Sequence, residues 1–412
     1  MLAALTRKLP QLAALLFVAS GAALAAAAPL QSPWDLHPVT ATSAPYACPA
    51  PVLLPRDIAA FDYYADSRKS VPDPQRLRAY DQAAGPFDRV SDQAEKAADA
   101  YRRTGSTAAA ACVLEILTAE AAQQAMTGSM ASNQSYYVQN WTLGALAVTY
   151  LKVRGSAAGT PAQRSRITAW LVRVARSTQG YFDVRRAKHT KDGRNNHLYW
   201  AGFAVMSAGI AANDRSLYNW GVSTYRDGVR QIAADGSLPL EMARGQRALH
   251  YHLFAAAPLV TMAEFAEANG QDLYAENHGA LHRLVDRCVA GLEDNSWFAQ
   301  QSAFPQDTPG PHLTAADVAW LRPYAERFPN PAIAQLLAQA SSLHVLYLGG
   351  DPPTVIRQSS RPDKRARTAP PARSTADRRP ADAPSAATAA SAAPGPPRPA
   401  SIESAAARSR QN

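Results

Sequence analysis

Apolar residues recur every three or four positions along most of the chain, which is the spacing that predicts α-helices. No run of strict apolar–polar alternation is long enough to predict a strand. Short clusters of Gly, Asn, Asp and Pro separate the apolar segments and predict short loops. The pattern predicts helices over 107–125, 138–152, 161–176, 198–212, 216–233, 244–268, 272–292, 315–327 and 331–341.

The predicted helices are numerous and their connections are short, so neighbouring helices are expected to run antiparallel. Such helices form a bundle, a solenoid or an α/α toroid. No repeat of fixed period is visible, which argues against a solenoid. The segment 28–350 is long enough for one large core and contains no linker rich in Pro, Gly or Ser that would divide it. We therefore expect a single all-α domain.

The N-terminus has the pattern of a secretory signal peptide over residues 1–27. Arg7 and Lys8 supply positive charge, an apolar run follows over 12–24, and small alanines offer a cleavage site. The apolar run is shorter than the roughly 20 residues that a membrane span needs. A retained anchor is the alternative, but we expect a cleaved leader, no stable membrane insertion, and a protein that is exported to the periplasm or secreted.

Residues 351–412 are mostly Pro, Ala, Ser and Arg and contain almost no large apolar side chains. Such a segment cannot bury enough surface to fold, so we predict a disordered basic tail. The tail and the leader carry most of the formal net charge of +9. The basic pI therefore does not indicate a nucleic-acid partner. The tail is expected to be a solvated extension, with weak binding to anionic polymers or membrane surfaces as the alternative.

The three cysteines are an odd number for an exported chain. Cys48 and Cys112 could pair and tie the N-terminal segment to the body of the domain. Cys288 lies within a helical pattern and is expected to be a buried free thiol. None of the three has neighbours at the spacing of a zinc site.

An Asn-rich run over 194–200 precedes one predicted helix. Asn is a favoured helix N-cap, so His197 is expected in the first turn. There Asn196 and His197 would suit an anionic ligand, because the amide can donate a hydrogen bond and the helix dipole favours negative charge. The alternative from periodicity alone is an Asn cap followed by a histidine packed in the core.

A second polar cluster lies over 244–252 and contains Arg244, Arg247 and Tyr251. If this segment is helical, Arg244 and Tyr251 share one face and lie about 10 Å apart along the axis. The helix would then present the cation of Arg244 and the phenol of Tyr251 along the same face. The alternative is an ordinary amphipathic helix with two solvated arginines.

A third cluster, over 133–141, is rich in amides and aromatic rings, among them Gln134, Tyr137 and Trp141. Clefts that bind sugars use flat rings for stacking and amides for hydroxyl groups. An aromatic stripe in the core would give a similar pattern.

Taken together, these motifs resemble those of the periplasmic alginate lyases, a family of polysaccharide lyases. The resemblance extends over about 57–350, which is essentially the whole predicted domain. It rests on several separated motifs that match in residue type and spacing. These are Asn196-His197 with Tyr199-Trp200, Arg244 and Tyr251 downstream, the segments 136–153 and 276–281, and the terminal 348–350.

The resemblance implies an incomplete α/α toroid that cleaves an anionic polysaccharide, alginate or a related polyuronate, by β-elimination without a metal or other cofactor. It implies that Asn196, His197 and Arg244 surround the uronate carboxylate and that Tyr251 is the general acid. The base would be Tyr251 or His197, and the residues do not decide between them. Gln134, Tyr137 and Trp141 would line the sugar subsites.

The segment 62–70 occupies the place of the mobile lid of that family. Tyr64, Arg68 and Lys69 could contact substrate there, and a surface loop without such a role is the alternative. One departure concerns the arginine that often precedes the terminal Gly-Gly in the family. Here residues 344–348 read His-Val-Leu-Tyr-Leu, which is expected to weaken one outer subsite.

Two other functions remain open from the residues alone. A glycoside hydrolase on a similar toroid would need two facing carboxylates, and Asp192 and Glu241 are the acidic residues nearest the motifs. A non-catalytic polyuronate-binding protein of polymer secretion is the other alternative. An intact set of four catalytic residues argues against it.

Overall fold

A computed structural model of the chain describes residues 28–307 and 313–353. The predicted signal peptide and the predicted tail beyond Pro353 lie outside the described residues. In the described part, the only β-type pairings are isolated bridges such as that of Ile58 with Met130, so the prediction of an all-α fold is confirmed. Within the same two ranges, no helix has both the length and the apolar character needed to cross a membrane.

The α-helices of the first described range are α1 (Pro74–Thr104), α2 (Thr107–Gln123), α3 (Asn133–Val153), α4 (Pro161–Ala187), α5 (Asn196–Ala212), α6 (Arg215–Arg230), α7 (Pro239–Met242), α8 (Ala248–Glu267), α9 (Glu276–Glu293) and α10 (Ser296–Ser302). The second range contains α11 (Ala315–Val318), α12 (Leu321–Arg327) and α13 (Pro331–Gln339). Short 3-10 turns occupy Gly245–Arg247 and Leu346–Leu348.

The helices form two layers. α3, α5 and α8 are buried on almost every side, whereas α4, α6 and α9 bury one face each. α1 packs on α3, α3 on α5, and α5 on α8, so these four form the inner layer. Each also contacts the outer helix that is adjacent in sequence, as α1 contacts α2 and α5 contacts α6. This arrangement is an incomplete α/α toroid.

Capping side chains fix several helix starts. Ser132 caps α3, and Thr160 and Gln163 form a reciprocal capping box at the start of α4. Asn330 caps α13, which begins with Pro331 as its pattern predicts. The long helix α1 is not predicted, because charged residues and the internal Pro86 interrupt its apolar spacing.

The segment 244–268 is not one helix, and the prediction that Arg244 and Tyr251 share a helical face is wrong. α7 ends at Met242, Arg244 lies in a turn, and Gly245 has a φ of 62°. The left-handed conformation at Gly245, which glycine adopts without a Cβ penalty, interrupts the helical path before α8 begins at Ala248. With this interruption, Arg244 lies against Tyr251 instead of two turns away from it.

The N-terminal strap, residues 28–60, lies in an extended conformation across the helices. Its Leu30 N–H donates to Asn213 at the end of α5, at 2.9 Å. Asp35 forms an ion pair with Arg154 at the end of α3. The strap therefore connects the ends of two inner helices.

The cysteines are arranged as the sequence predicts. Cys48 of the strap is bonded to Cys112 of α2, with Cα atoms 5.4 Å apart, so the predicted pairing is confirmed. Cys288 in α9 is a buried free thiol, and burial raises its pKa. The disulfide joins the strap covalently to the outer layer.

Candidate active site

Helix α5 begins at the Asn-rich run. Asn195 is its N-cap, and the side-chain oxygen accepts a hydrogen bond from the backbone N–H of His197 at 3.1 Å. Asn196 is fully buried, and His197 is partly exposed. The helix start therefore holds an amide and an imidazole side by side in its first turn.

Glu241 connects this helix start to Arg244. Its Oε1 accepts hydrogen bonds from the backbone N–H and from Nδ2 of Asn196, both at 2.9 Å. Its Oε2 lies 4.0 Å from Arg244 Nη1. Burial raises the pKa of the Glu241 carboxyl group, and Asn196 and Arg244 partly offset the effect. An amide nitrogen carries two hydrogens, so Asn196 retains one for a ligand.

His197 is held as a neutral imidazole. Burial, followed by the positive charge of Arg244, lowers its pKa to about 3. Its ring stacks on Tyr137, with centroids 3.7 Å apart and planes inclined by 14°. Its Nδ1 is buried and has no hydrogen-bond partner in the described residues. A neutral imidazole can donate a hydrogen bond to a carboxylate or accept a proton, depending on its tautomer.

A hydrogen bond to Asp192 holds the Tyr137 side chain in place. Its hydroxyl donates to Asp192 Oδ2 at 2.9 Å, and Tyr181 donates to the same oxygen at 3.1 Å. Arg185 Nε lies 2.9 Å from that oxygen and forms an ion pair with the carboxylate. This network keeps the Tyr137 ring parallel to His197, and it explains why an acidic residue lies so close to the site.

Two guanidinium groups lie against Tyr251 of α8. The Cζ atom of Arg244 is 3.3 Å from the ring centroid of Tyr251, and that of Arg247 is 5.3 Å away. Arg247 also donates a hydrogen bond to the hydroxyl of Tyr64 at 2.8 Å. These contacts place two positive charges against the ring of Tyr251.

The hydrogen bonds around Tyr64 determine how its proton is oriented. Arg247 can only donate to the Tyr64 oxygen, and the Tyr63 hydroxyl donates to it at 3.2 Å. The Tyr64 hydroxyl lies 2.6 Å from that of Tyr251. With its two lone pairs used, Tyr64 donates its own proton to Tyr251. The Tyr251 oxygen thus receives a hydrogen bond and can direct its own proton toward a ligand.

Arg244 holds the covering loop, residues 62–72, over Tyr251. Its Nε and Nη2 donate to the backbone carbonyls of Arg68 and Lys69, both at 2.7 Å. The side chains of these two residues face other partners. The Arg68 guanidinium lies 4.9 Å above the ring of Phe304, and Lys69 pairs with Asp62 at 2.5 Å. The loop contributes two carbonyl groups and the Tyr64 ring to this arrangement.

Aromatic rings continue from His197 along the cleft. The centroid of Trp141 lies 6.1 Å from that of His197, and Tyr347 stacks on the far side of Trp141 at 5.2 Å. Gln134 lies in the first turn of α3 and hydrogen-bonds with Tyr80 of α1. Of the predicted subsite residues of α3, Tyr137 and Trp141 therefore lie beside the His197 ring, whereas Gln134 contacts α1.

The structure thus brings the four predicted catalytic residues into one group. Glu241 and Arg247 also belong to it through their contacts with Asn196 and Tyr251. The pattern carried a signal for Arg247, which lies one helical turn from Tyr251. Glu241 was considered only as a carboxylate of the alternative hydrolase, because its hydrogen bonds with Asn196 form between α7 and α5 in the folded chain.

Comparison with known proteins places the chain among polysaccharide-cleaving enzymes. The family model described as alginate lyase matches residues 57–298. A polysaccharide lyase of Stenotrophomonas maltophilia is 40% identical over 316 residues, which are 76% of this chain and 92% of the relative. An alginate lyase of Cobetia marina is 31% identical over 310 residues, which are 74% of this chain and 82% of the relative.

Solved structures agree with the fold. A variant of alginate lyase A1-III complexed with a tetrasaccharide is 25% identical, with a TM-score of 0.67 over 75% of this chain and 86% of that chain. The structure of alginate lyase A1-III from Sphingomonas species A1 has a TM-score of 0.64 at 24% identity and covers 78% of this chain and 95% of that chain.

Proposed function

The chain belongs to the alginate lyase family and is a polysaccharide lyase, and on that premise we propose that it cleaves 1,4-linked polyuronate by β-elimination. Mannuronate-rich alginate is the proposed substrate class. The products are a shortened chain and a new chain end with a 4,5-unsaturated uronate. The observation that carries the proposal is that Glu241 connects Asn196, beside His197, to Arg244, whose guanidinium lies on the Tyr251 ring.

The chemistry requires those groups. The C5–H bond of the uronate breaks, its electrons form the C4–C5 double bond, and the C4–O4 bond breaks with O4 taking a proton. The C5 proton is weakly acidic while the neighbouring carboxylate keeps its full charge. Donors arranged around that carboxylate stabilise the charge that develops on it in the transition state.

We assign this stabilisation to the amide of Asn196, the neutral imidazole of His197 and the guanidinium of Arg244. Arg244 now donates to two carbonyl groups of the covering loop and lies 4.0 Å from Glu241. A substrate carboxylate would take over part of this hydrogen bonding. In its neutral state, His197 would donate one ring N–H to the carboxylate and keep its other nitrogen as an acceptor.

We assign proton transfer to Tyr251. Its oxygen receives the hydrogen bond from Tyr64, and Arg244 and Arg247 lie against its ring. For mannuronate, the Tyr251 oxygen would take the C5 proton as it gives its own hydroxyl proton to O4, so the phenol is neutral before and after the step. His197 is the alternative base for a substrate that presents its C5 proton on the opposite face, but its lowered pKa makes it the weaker proton acceptor.

A hydrolase mechanism has less support. Asp192 is occupied by Arg185, Tyr137 and Tyr181, and Glu241 by the two donors of Asn196. Neither carboxylate is free to activate water or to protonate a glycosidic oxygen. A non-catalytic binding protein would not require two guanidinium groups against the ring of one phenol.

A panel of defined polymers tests the proposal. Polymannuronate, polyguluronate and polyglucuronate are incubated with the protein, and the ultraviolet absorbance of unsaturated ends and the amount of reducing ends are followed together. We expect both to rise in step, fastest with polymannuronate. Reducing ends without absorbance would indicate hydrolysis, and binding without shortening would indicate a non-catalytic protein.

We also propose that the protein acts outside the cytoplasm, in the periplasm or after secretion. The leader pattern over 1–27 supports this, as does the disulfide between Cys48 and Cys112, because disulfides persist in oxidising compartments. Expression of the full chain in a Gram-negative host, with mass analysis of the periplasmic fraction, is the test. A cytoplasmic product that keeps residues 1–27 would contradict the proposal.

A further inference from the structure

A polar crevice lies at the end of the inner layer that is opposite the candidate active site. It is lined by Arg102 and Arg103 at the end of α1, by Lys152 near the end of α3 and by Arg322 of α12. Tyr137 of the candidate active site lies on the same helix as Lys152, roughly 22 Å away along its axis. This basal crevice encloses about 490 Å³, a volume typical of sites for small molecules.

Cationic side chains outnumber carboxylates in the basal crevice. Asp99 and Asp351 line it together with the four cations, which leaves a formal excess of two positive charges. Asp99 accepts a hydrogen bond from Lys152 at 2.5 Å, and Asp351 lies 3.2 Å from Arg103. Both carboxylates are therefore already paired, and neither is paired with Arg102.

Arg102 has a half-buried guanidinium group without a carboxylate partner in the described residues. Its Nη2 donates to the backbone carbonyl of His37 at 2.6 Å, which holds the group against the N-terminal strap. Burial lowers the pKa of Arg102 despite the charge of Asp35, which is itself paired with Arg154. A guanidinium group has five N–H donors, so Arg102 keeps donors for a ligand.

The rim of the basal crevice has arginines that can reorient. The Arg103 and Arg322 side chains are 62% and 46% exposed, and they pair with Asp351 and Glu326 at 3.2 and 2.9 Å. Exposed ion pairs of this kind contribute little to stability. An incoming anion can therefore attract both side chains without disturbing the core.

The arrangement suits an oxyanion. A guanidinium group forms two parallel hydrogen bonds with a carboxylate or a phosphate. Lys152 adds positive charge, although its Nζ is already engaged by Asp99 and by the carbonyl of Gly349. The cavity has more room than a bare phosphate ion fills, so the ligand can carry its acidic group on a body the size of a sugar.

We propose that the basal crevice binds a small acidic ligand, a carboxylated or phosphorylated sugar, with Arg102 as the main contact to the oxyanion and with Arg103 and Arg322 as supporting cations. This site is separate from the candidate active site, and the inference does not depend on the proposed function. It gives the chain a second place at which an acidic sugar is recognised.

Calorimetric titration of the purified full chain with inorganic phosphate and with monomeric mannuronate tests the proposal, and mannose is the neutral control. Monomeric mannuronate has no glycosidic bond to cleave, so the titration measures binding alone. We expect binding of at least one anion and none of mannose, and the tighter anion identifies the acidic group that the crevice prefers. The predicted basic tail is present in every variant, so differences among their Kd values report on the crevice.

Arg102→Leu should raise the Kd of the bound anion roughly tenfold or more, and Arg322→Gln should raise it about threefold. Arg226→Gln is the matched control. Arg226 of α6 is also 46% exposed and pairs with a glutamate, Glu276, at 2.9 Å, but it does not line the crevice. Its replacement should leave the Kd unchanged.

Ser342→Glu keeps the test decisive if Arg102→Leu folds poorly. Ser342 is an exposed residue of the crevice wall, and a carboxylate there should weaken anion binding without altering Arg102. Equal Kd values in the wild type, Arg102→Leu and Ser342→Glu would overturn the proposal, as would a wild type that binds neither anion. Binding that persists in Arg102→Leu and disappears in Arg244→Gln would place the anion in the candidate active site and also overturn it.

Discussion

The hydroxyl oxygens of Tyr64 and Tyr251 lie 2.6 Å apart, so the phenol that we assign to proton transfer is in direct contact with the loop that covers it. Arg247 completes the chain by donating to Tyr64. This order of donors makes the Tyr251 oxygen an acceptor before any substrate arrives. The covering loop therefore contributes a hydrogen bond to the Tyr251 hydroxyl in addition to covering this residue.

Replacing Tyr251 with phenylalanine removes the proton-transfer group and keeps the ring against Arg244. We expect kcat for polymannuronate to fall by roughly 10²–10⁴-fold, with an unchanged melting temperature. Absorbance of unsaturated ends measures the loss. Tyr64→Phe is the matched control, because it removes only the hydroxyl that donates to Tyr251, and its loss should be much smaller. Full activity in Tyr251→Phe would exclude the assigned mechanism.

Glu241 is expected to act by holding Asn196. Glu241→Gln keeps a carbonyl oxygen for the two donors of Asn196, so we expect it to retain most of its activity. Glu241→Ala leaves those buried donors unpaired, which should cost about 1–3 kcal/mol of stability and lower kcat by on the order of 10² through misplacement of the amide. Denaturant unfolding and lyase rates measure the two effects. If the alanine and glutamine variants were equally active, Glu241 would have no positioning role.

Reduction of the disulfide should destabilise the fold without touching the site. The bond closes a loop with a sequence separation of 64 residues, and chain entropy alone predicts a contribution of about 4 kcal/mol. We expect a reducing agent to lower the melting temperature of the wild type and to leave that of Cys48→Ser unchanged. Activity well below the melting temperature should persist. Cys288→Ser is the control, and its response to the reductant should match that of the wild type.

Because His344 contacts the buried carboxyl groups of Glu95 and Asp99, we expect the protein to lose stability in alkaline solution. Burial lowers the pKa of His344, but its hydrogen bonds to Asp99 and Glu95 prevail and raise it to about 10. A raised pKa stabilises the fold below the unfolded value of about 6.5, and this contribution disappears as the pH rises through 10. Burial likewise raises the pKa of Glu95 to about 8, so its ionisation acts in the same direction.

Denaturant unfolding at pH 7, 8.5 and 10 checks this expectation. The free energy of unfolding should fall by on the order of a few kcal/mol over this range, and His344→Gln should flatten the dependence. His37→Gln serves as the control, because the pKa of His37 is lowered by burial and it stays neutral throughout. If the free energy of unfolding depended on pH equally in the wild type and in His344→Gln, the contribution assigned to His344 would be contradicted.

The helical fold follows from local features of the sequence, whereas the catalytic set was implied by the resemblance of several separated motifs to the alginate lyases. The apolar spacing of α3 and α5 is continuous, and Asn195 has the chemistry of a cap, so the position of His197 at a helix start was predictable. The close contact of Arg244 with Tyr251 was not. It depends on one glycine, Gly245, whose backbone conformation a periodicity argument does not reveal.

The supporting residues could not be predicted for a different reason. Glu241, Asp192 and Glu95 are acidic residues that resemble surface positions in the sequence. Each becomes buried only because a partner from a distant segment, such as Asn196, Tyr137 or His344, meets it in the folded chain. Information of this kind lies in tertiary contacts and not in the local pattern.

The N-terminal strap limits how far the protein can be shortened for production in a foreign host. The match to the family model starts at residue 57, but Leu30, Trp34 and Leu54 of the strap are at most 6% exposed. Trp34 packs edge-on against Phe265 of α8 at 5.9 Å. A fragment cut at residue 57 would leave an apolar surface uncovered, and such a fragment should precipitate where the chain starting at residue 28 stays in solution.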